Sequence, residues 1–182
     1  MVDLSKITEG SAGMPRWPLG IALALVVTLV VGVLIAASVV RNQPLPPLGL
    51  AAVSAPAASS PECTRLLAAL PGKLDGGELG ALERRQLGAP VPAGVAGWGE
   101  PPVVLRCGLD RPPDLTATSR LLSVSGVQFL EIPTRGMSTW VAVDRPVYVA
   151  AALPPNSGSG PLQQIAVIIS RVLPRQDVNV PH

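Results

Sequence analysis

The sequence predicts an α+β protein in two parts: a single N-terminal transmembrane helix, then a small extracytoplasmic domain with an antiparallel or mixed sheet of about four strands and a packed C-terminal helix. Three observations support this prediction. One early apolar run contains no charged residue. Later in the chain, apolar residues alternate with polar ones, as they do in half-buried strands. Near the C-terminus they recur at helical spacing, and strands followed by a helix are typical of an α+β fold.

The apolar run extends from Leu19 to Val40. At 1.5 Å per residue a helix of this length would measure about 33 Å, enough to cross a hydrocarbon core of roughly 30 Å. Its hydroxyl side chains, Thr28 and Ser38, can donate to carbonyl groups of the same helix. Trp17 stands at its start, where aromatic rings lie among lipid headgroups. We therefore predict a transmembrane helix over residues 19–40.

The basic residues at the two ends of this helix predict its orientation. Lys6 and Arg16 precede it, whereas only Arg41 follows it closely. Because cytoplasmic flanks carry the excess of Lys and Arg, residues 1–18 are predicted to be a cytoplasmic tail and the C-terminal domain to lie outside. The alternative is a cleaved signal peptide with a weak site at Ala36-Ala37-Ser38, although signal peptides have shorter apolar regions. Both alternatives place the domain outside the cytoplasm.

Residues 41–60 are rich in Pro, Ala and Ser, which predicts an extended linker. Its prolines between 44 and 47 favour polyproline II geometry and would hold the domain away from the lipid surface; the alternative is a Pro-rich ligand for a partner. The domain is predicted to span residues 61–174, with residues 175–182 as a tail. A domain of this length can form one modest core.

Caps and apolar spacing predict the helices of this domain. The first follows Ser59-Ser60, which offer a cap, and ends before Pro71-Gly72. Its apolar face consists of Cys63, Leu66, Leu67 and Leu70. The last follows Ser159 and closes at Pro174. Its apolar stripe, which can lie on a sheet, consists of Leu162, Ile165, Ile169 and Val172. A further short helix is predicted over residues 76–87.

Four strands are predicted from alternating apolar residues. They span residues 103–108, 126–132, 139–143 and 147–153. The turn Asp144-Arg145-Pro146 makes the last two antiparallel neighbours.

Cys63 and Cys107 are the only cysteines, and both lie beyond the transmembrane segment, where thiols are oxidised. One lies on the apolar face of a predicted helix and the other on one face of a predicted strand, so both can point into the same helix–sheet seam. A disulfide between them is predicted to stabilise the domain by about 4 kcal/mol. The alternatives, a metal pair or a catalytic thiol, lack a nearby His and the CxxC spacing.

The residues for catalysis are few. The single histidine is His182, and a chain end is seldom ordered, which disfavours triads and zinc sites. Paired carboxylates remain an option, because glycosidases need only two. The candidates in or beside the sheet are Asp110, Asp114, Glu131 and Asp144. Three of these stand beside Pro or Arg in turns, where Asp is favoured for backbone reasons.

Two other features could bind a ligand. The glycine-rich stretch Asn156–Gly160 precedes the last helix, and such loops can bind anions, but it lacks the Gly-Lys-Ser of a nucleotide loop and also suits a flexible connection. Arg106 lies at mid-strand opposite the cysteine face, which favours an exposed or ion-paired residue over a ligand anchor. The net charge of +2 provides no basic stripe, so no nucleic-acid partner is expected.

Several segments resemble an uncharacterised actinobacterial family of single-pass or secreted envelope proteins, known only as a domain of unknown function. They are Cys-x-x-Leu-Leu at Cys63, Trp98-Gly-Glu-Pro-Pro leading into Val-Leu-Arg-Cys-Gly at Val104, and Gly126-Val-Gln-Phe-Leu. The resemblance covers about residues 61–173. It implies an envelope location and a paired-cysteine domain, and it supplies no catalytic residues.

The sequence thus favours a membrane-anchored, extracytoplasmic cell-envelope protein with a non-catalytic, interaction or accessory role. Its expected partners are the lipid bilayer and an envelope or membrane protein, and no cofactor or metal is expected. The alternatives are an envelope hydrolase that uses paired carboxylates and a small-ligand-binding module.

Overall fold

The computed structural model describes residues 16–41, 45–134 and 136–180. These residues form two compact units that divide between Leu45 and Pro46. Most of the predicted cytoplasmic tail lies outside the described residues, and so does His182.

The N-terminal unit contains one helix, α1 (Arg16–Arg41). Its segment Gly20–Ser38 is long and apolar enough to cross a membrane, and the same features suit a signal anchor. Thr28 Oγ1 donates to the carbonyl oxygen four residues earlier at 2.8 Å, and Ser38 Oγ donates to the one three residues earlier at 2.7 Å. The predicted hydrogen bonds of these hydroxyls are therefore confirmed.

The second unit is an α+β domain. Its elements are α2 (Pro61–Ala69), β1 (Lys73–Asp75), a 3₁₀ turn (Gly77–Leu79), β2 (Ala81–Glu83), β3 (Val95–Trp98), β4 (Val103–Leu109), β5 (Leu121–Val124), β6 (Val127–Thr134), β7 (Met137–Ala142), β8 (Tyr148–Leu153) and α3 (Gly160–Val172). β1 and β2 form a two-stranded hairpin, and the other strands form one sheet in the order β3-β4-β8-β7-β6-β5. Every pairing is antiparallel.

The α+β class is confirmed, but the predicted count of about four strands is wrong. The main sheet has six, because β3 and β5 join its two edges. The helix predicted over residues 76–87 is also wrong. Gly77 and Gly80 have φ angles of 62° and 71°, which a right-handed helix does not allow. β2 instead pairs with β1, placing Leu82 opposite Leu74 in the core.

The main core lies between one face of the sheet and the helices α2 and α3. Ser60 Oγ accepts from the Cys63 N–H at 3.3 Å, so the predicted cap of α2 is confirmed. The apolar faces predicted for α2 and α3 pack inward, with Val172 and Leu67 half-buried at the edge. The largest fully buried side chains here include Trp98, Phe129, Leu66, Leu105, Ile165 and Ile169.

A smaller core covers the opposite face of the sheet. Its buried members are Leu115, Leu130, Val141, Val143 and Ala150. Val178 and Val180, from the segment predicted as a tail, pack against them. The described part of that segment is therefore integral to the fold, because apolar side chains there cover a sheet face that would otherwise meet water.

Residues 46–60, most of the predicted linker, form a strap along the domain. The Leu48 N–H donates to the carbonyl of Gln86 at 2.8 Å, and Arg85 Nη2 donates to the carbonyl of Pro46 at 2.5 Å. Arg106 Nη2 donates to the carbonyl of Ala51 at 3.0 Å. The strap ends in a turn over residues 56–59, and its backbone is bound to the domain rather than free.

Candidate functional site

The two cysteines form a disulfide between α2 and β4. The Cα atoms of Cys63 and Cys107 are 5.6 Å apart, and the pair encloses a sequence separation of 44 residues. Both side chains are buried, in the seam between helix and sheet. The bond ties the helical layer to the sheet layer and is inaccessible to a substrate, so its role is structural.

The four candidate carboxylates do not share one cleft. Asp110 and Asp114 are exposed in the loop between β4 and β5. Glu131 is exposed on β6, opposite Trp140 of β7. Asp144 is fully buried in the turn between β7 and β8. None of them lines the cavities described below.

Asp144 is held by a buried network. Its Oδ1 accepts from the Gln128 N–H at 3.1 Å, and its Oδ2 lies 2.8 Å from Arg145 Nη1. Arg145 Nη2 donates to the carbonyl of Gly126 at 2.9 Å, and Arg175 Nε approaches Oδ2 to 3.8 Å. The network joins the β5–β6 turn, the β7–β8 turn and the C-terminal segment. Its position indicates that Asp144 organises the fold.

Arg106 is half-buried and binds the strap. Partial burial lowers the pKa of its guanidinium below the ordinary value. Because it donates to the carbonyl of Ala51, it is neither free in solvent nor aimed at a cavity. The side chain was expected to be exposed or ion-paired, and its partner is instead a backbone carbonyl of the strap.

One cavity of the domain, the Trp140 cavity, has a volume of about 370 Å³. It lies between the β6–β7 hairpin and the loop that follows β8. Its lining residues are Pro133, Thr134, Gly136, Met137, Ser138, Trp140, Leu153, Pro154, Pro155, Asn156, Ser157 and Gly158. The volume falls within the range of small-ligand sites. The indole, prolines and aliphatic side chains provide apolar contact, and hydroxyl and amide groups provide polar contact.

The loop from Asn156 to Gly160 forms one wall of this cavity. Asn156 has a φ angle of 65°, a left-handed conformation that asparagine tolerates better than most residues. Ser157 is buried and donates through Oγ to the carbonyl of Pro154 at 2.8 Å. The loop is thus held by its own hydrogen bonds. Among the described residues of the lining, which do not include residue 135, none carries a basic side chain, and these residues suit contact with an uncharged group.

Two further depressions flank the N-terminal half of α3, and we call them together the α3 groove. One, of about 280 Å³, shares Trp140, Leu153 and Gly158 with the Trp140 cavity and reaches Val124 of β5. The other, of about 440 Å³, is lined by Pro71, Ser125, Gln163, Gln164, Val167 and Ile168. All these lining side chains are uncharged. The groove therefore extends the uncharged surface from the Trp140 cavity towards the edge of the sheet.

One protein-family model matches most of the chain. The model described as "Protein of unknown function (DUF3515)" matches residues 23–178. The chain belongs to the DUF3515 family. The searches of curated proteins and of solved structures gave no significant match.

The match to DUF3515 covers more than the domain predicted from sequence. It begins inside α1 and ends at Val178, in the segment that covers the smaller core. The family model thus includes the strap and the C-terminal segment, which agrees with their contacts in the structure. The predicted membership of a family of unknown function is confirmed at this level.

Sequence reasoning missed Trp140 as part of the candidate site in this DUF3515 protein. Trp140 lies within a predicted strand, where an aromatic residue normally indicates core packing. It packs against the main core but remains partly exposed, at the cavity between the β6–β7 hairpin and the loop that follows β8. The available signal was the Asn156–Gly160 loop, which the sequence analysis identified and which the structure places beside this indole.

Proposed function

We propose that this DUF3515 protein is a single-pass, membrane-anchored protein of the cell envelope whose extracytoplasmic domain binds a partner and catalyses no reaction. The helix α1 supports the anchor. The buried disulfide supports an oxidising compartment, since disulfides persist outside the cytosol. A membrane anchor concentrates the domain near envelope components, so weak contacts suffice for function.

One observation supports binding over catalysis: the described residues that line the cavity and groove are uncharged, and the four candidate carboxylates lie elsewhere. Acid–base or nucleophilic catalysis by carboxylates needs two groups facing one cleft. Asp144 forms a buried ion pair with Arg145, and Asp110 and Asp114 lie in an exposed loop. The arrangement suits contact with an uncharged surface, with Trp140 as the main apolar anchor.

In-cell photo-crosslinking tests this proposal. A photoreactive amino acid at Met137, in the Trp140 cavity, is expected to capture one envelope or membrane component reproducibly. The same group at Thr118, on the exposed β4–β5 loop, is the control and should not capture it. The Trp140→Ala substitution should abolish the adduct, because the indole supplies most of the apolar contact. Turnover of cell-wall fragments by the purified protein, lost in Asp110→Asn or Asp114→Asn, would overturn the proposal.

A second candidate function, a small-ligand-binding module, is favoured by the size of the Trp140 cavity and by its ordered Asn156 wall. The expected ligand is neutral and combines an apolar face with hydroxyl or amide groups, because these are the groups that the described lining residues offer. A panel of neutral saccharides and uncharged short peptides, assayed by the melting temperature of the full-length protein, tests it. A stabilising ligand should lose its effect in Trp140→Ala and retain it in Thr118→Ala. A panel of this kind that leaves the melting temperature unchanged argues against this candidate.

A further inference from the structure

The two edges of the main sheet differ in how they are covered. At the β3 edge, the Arg85 N–H donates to the carbonyl of Gly97 at 2.8 Å, and the Gly99 N–H donates to the carbonyl of Glu83 at 2.9 Å. At the other edge, β5 pairs with β6 alone. Within residues 45–134 and 136–180, no backbone group forms a hydrogen bond with the outer side of β5. One edge is therefore closed by the chain itself and the other is open.

The pairing register identifies which groups face the open edge. The turn Ser125-Gly126 has two positive φ angles, 48° and 78°, as in the two-residue turns that close hairpins. The Gln128 N–H donates to Asp144 Oδ1, and its carbonyl accepts from the Val143 N–H at 3.0 Å. Both groups of Gln128 therefore point away from β5, and its cross-strand partner Ser123 forms no ladder hydrogen bonds with it.

Because hydrogen-bonded and non-hydrogen-bonded pairs alternate along antiparallel strands, the same holds for Leu121, two residues before Ser123. The N–H and carbonyl groups of Leu121 and Ser123 thus face outward. They form a short row of two donors and two acceptors with the spacing of a strand. Only another extended backbone matches this pattern fully, so the edge specifies a polypeptide as its partner.

The open edge has fewer of the features that prevent pairing than the β3 edge has. Natural sheets protect their edges with very short strands, charged residues, proline or a covering segment. β5 is short and directly follows Arg120, but the stretch from Leu121 to Leu130 contains no charged residue and no proline. The β3 edge, in contrast, is flanked by Arg84 and Arg85 and is covered by backbone pairing. The β5 edge is therefore more accessible to an added strand than the β3 edge.

The α3 groove lies next to this edge. Val124 at the end of β5 lines one part of it, and Ser125 in the following turn lines the other. Across the groove stand Gln163, Val167 and Ile168 of α3. A strand added to β5 would direct every second side chain towards this face of the sheet. The groove offers apolar and amide contacts for those side chains.

We propose that β5 accepts an extended, uncharged segment of a partner polypeptide as a seventh strand, whose alternate apolar side chains enter the α3 groove. The inference rests on the proposed binding function and names the class of partner. A second copy of this chain, paired through its own β5, would match the same backbone groups, so self-association of the protein is the competing outcome of the test below.

Proline at position 123 tests the proposal selectively. Ser123→Pro removes the outward N–H and leaves the ladder to β6 intact, because that N–H takes no part in it. Ser123→Ala retains the N–H and is the matched control. The probe is a library of random eight-residue peptides without Asp, Glu, Lys or Arg, selected on the full-length protein in lipid nanodiscs.

Selected peptides should alternate apolar residues at every second position, slow hydrogen exchange at the amides of Leu121 and Ser123, and bind Ser123→Pro about tenfold more weakly than Ser123→Ala. Binding that is equal in both variants, no enrichment of any peptide, or protection of these amides by self-association of the protein alone would overturn the proposal. Met137→Ala, which alters the Trp140 cavity and lies outside the α3 groove, should leave amide protection by the peptides in place, so a failure of the Trp140 cavity proposal is distinguishable from a failure of strand addition.

Discussion

Asp144 shows how a residue suited to catalysis serves the fold. The sequence placed it correctly in a turn, but its burial depends on Gln128 and Arg175, which are distant in sequence. A buried ion pair that loses one partner leaves the other charge uncompensated, and this usually costs 3–5 kcal/mol. The turn was therefore predictable from local residues, and the network was not.

Asp144→Asn is expected to lower the free energy of unfolding by about 3 kcal/mol, because the neutral amide leaves Arg145 buried without its counter-charge. Asp114→Asn is the control, since its exposed side chain predicts a change within about 0.5 kcal/mol. Urea unfolding of both variants measures the difference. Equal stability of the two variants would show that Asp144 has no structural role.

Gly108 is required where the strap meets β4. Its φ angle is 82°, and a Cβ atom added there would lie 2.2 Å from the carbonyl carbon of Ala57. Gly108→Ala should therefore destabilise the domain by about 3 kcal/mol through backbone strain and steric overlap. Gly126→Ala is the control, because Gly126 has a similar φ angle of 78° and open space around it, so that strain alone should cost about 1 kcal/mol. A smaller loss for Gly108→Ala than for Gly126→Ala in denaturant titrations would refute this close approach.

At the level of elements, local signals predicted α2 and α3 well, but they also predicted a false helix over residues 76–87 and missed the short strands. Ser60 caps α2, and the spacing of Leu162, Ile165 and Ile169 predicted the buried face of α3. β3 and β5 have four residues each and form because longer neighbours pair with them. Such strands depend on partners far along the chain, which local alternation does not encode.

The disulfide joins two secondary-structure elements, α2 and β4. Cys63→Ala and Cys107→Ala should each lower the free energy of unfolding by about 4 kcal/mol, the chain-entropy estimate for a loop of this size. The double variant should lose about the same amount, since all three lack one bond. Non-reducing peptide mapping of the protein from its native envelope should find the linked pair. Two free thiols in that map would contradict the prediction.

The strap depends on Arg85, whose buried guanidinium contacts Pro46, Gly99 and Glu100. Arg85→Lys should speed hydrogen exchange over residues 46–51 at least several-fold, because one ammonium group does not reproduce the fork of a guanidinium. Arg84→Lys is the control, since Arg84 binds the carbonyl of Leu70 and makes no bond to the strap. Exchange that is equally slow in both variants would mean that the strap is held without Arg85.

For the whole molecule, the sequence predicted the fold class, the apolar helix and the cysteine pair. It did not predict the strand order or the Trp140 cavity. The cavity forms where the β6–β7 hairpin approaches the loop that follows β8. That approach depends on the pairing of β7 with β8, which is a property of the whole fold and of no single segment.

The disulfide, the membrane anchor and the proposed partners all require the domain to lie outside the cytoplasm. This location can be measured directly. A single cysteine is introduced as Ala117→Cys on the exposed β4–β5 loop or as Ser5→Cys before α1, and intact cells are treated with a membrane-impermeant maleimide. We expect Ala117→Cys to be labelled in intact cells and Ser5→Cys to be labelled only after the cells are permeabilised. Labelling of Ser5→Cys with full protection of Ala117→Cys would contradict it.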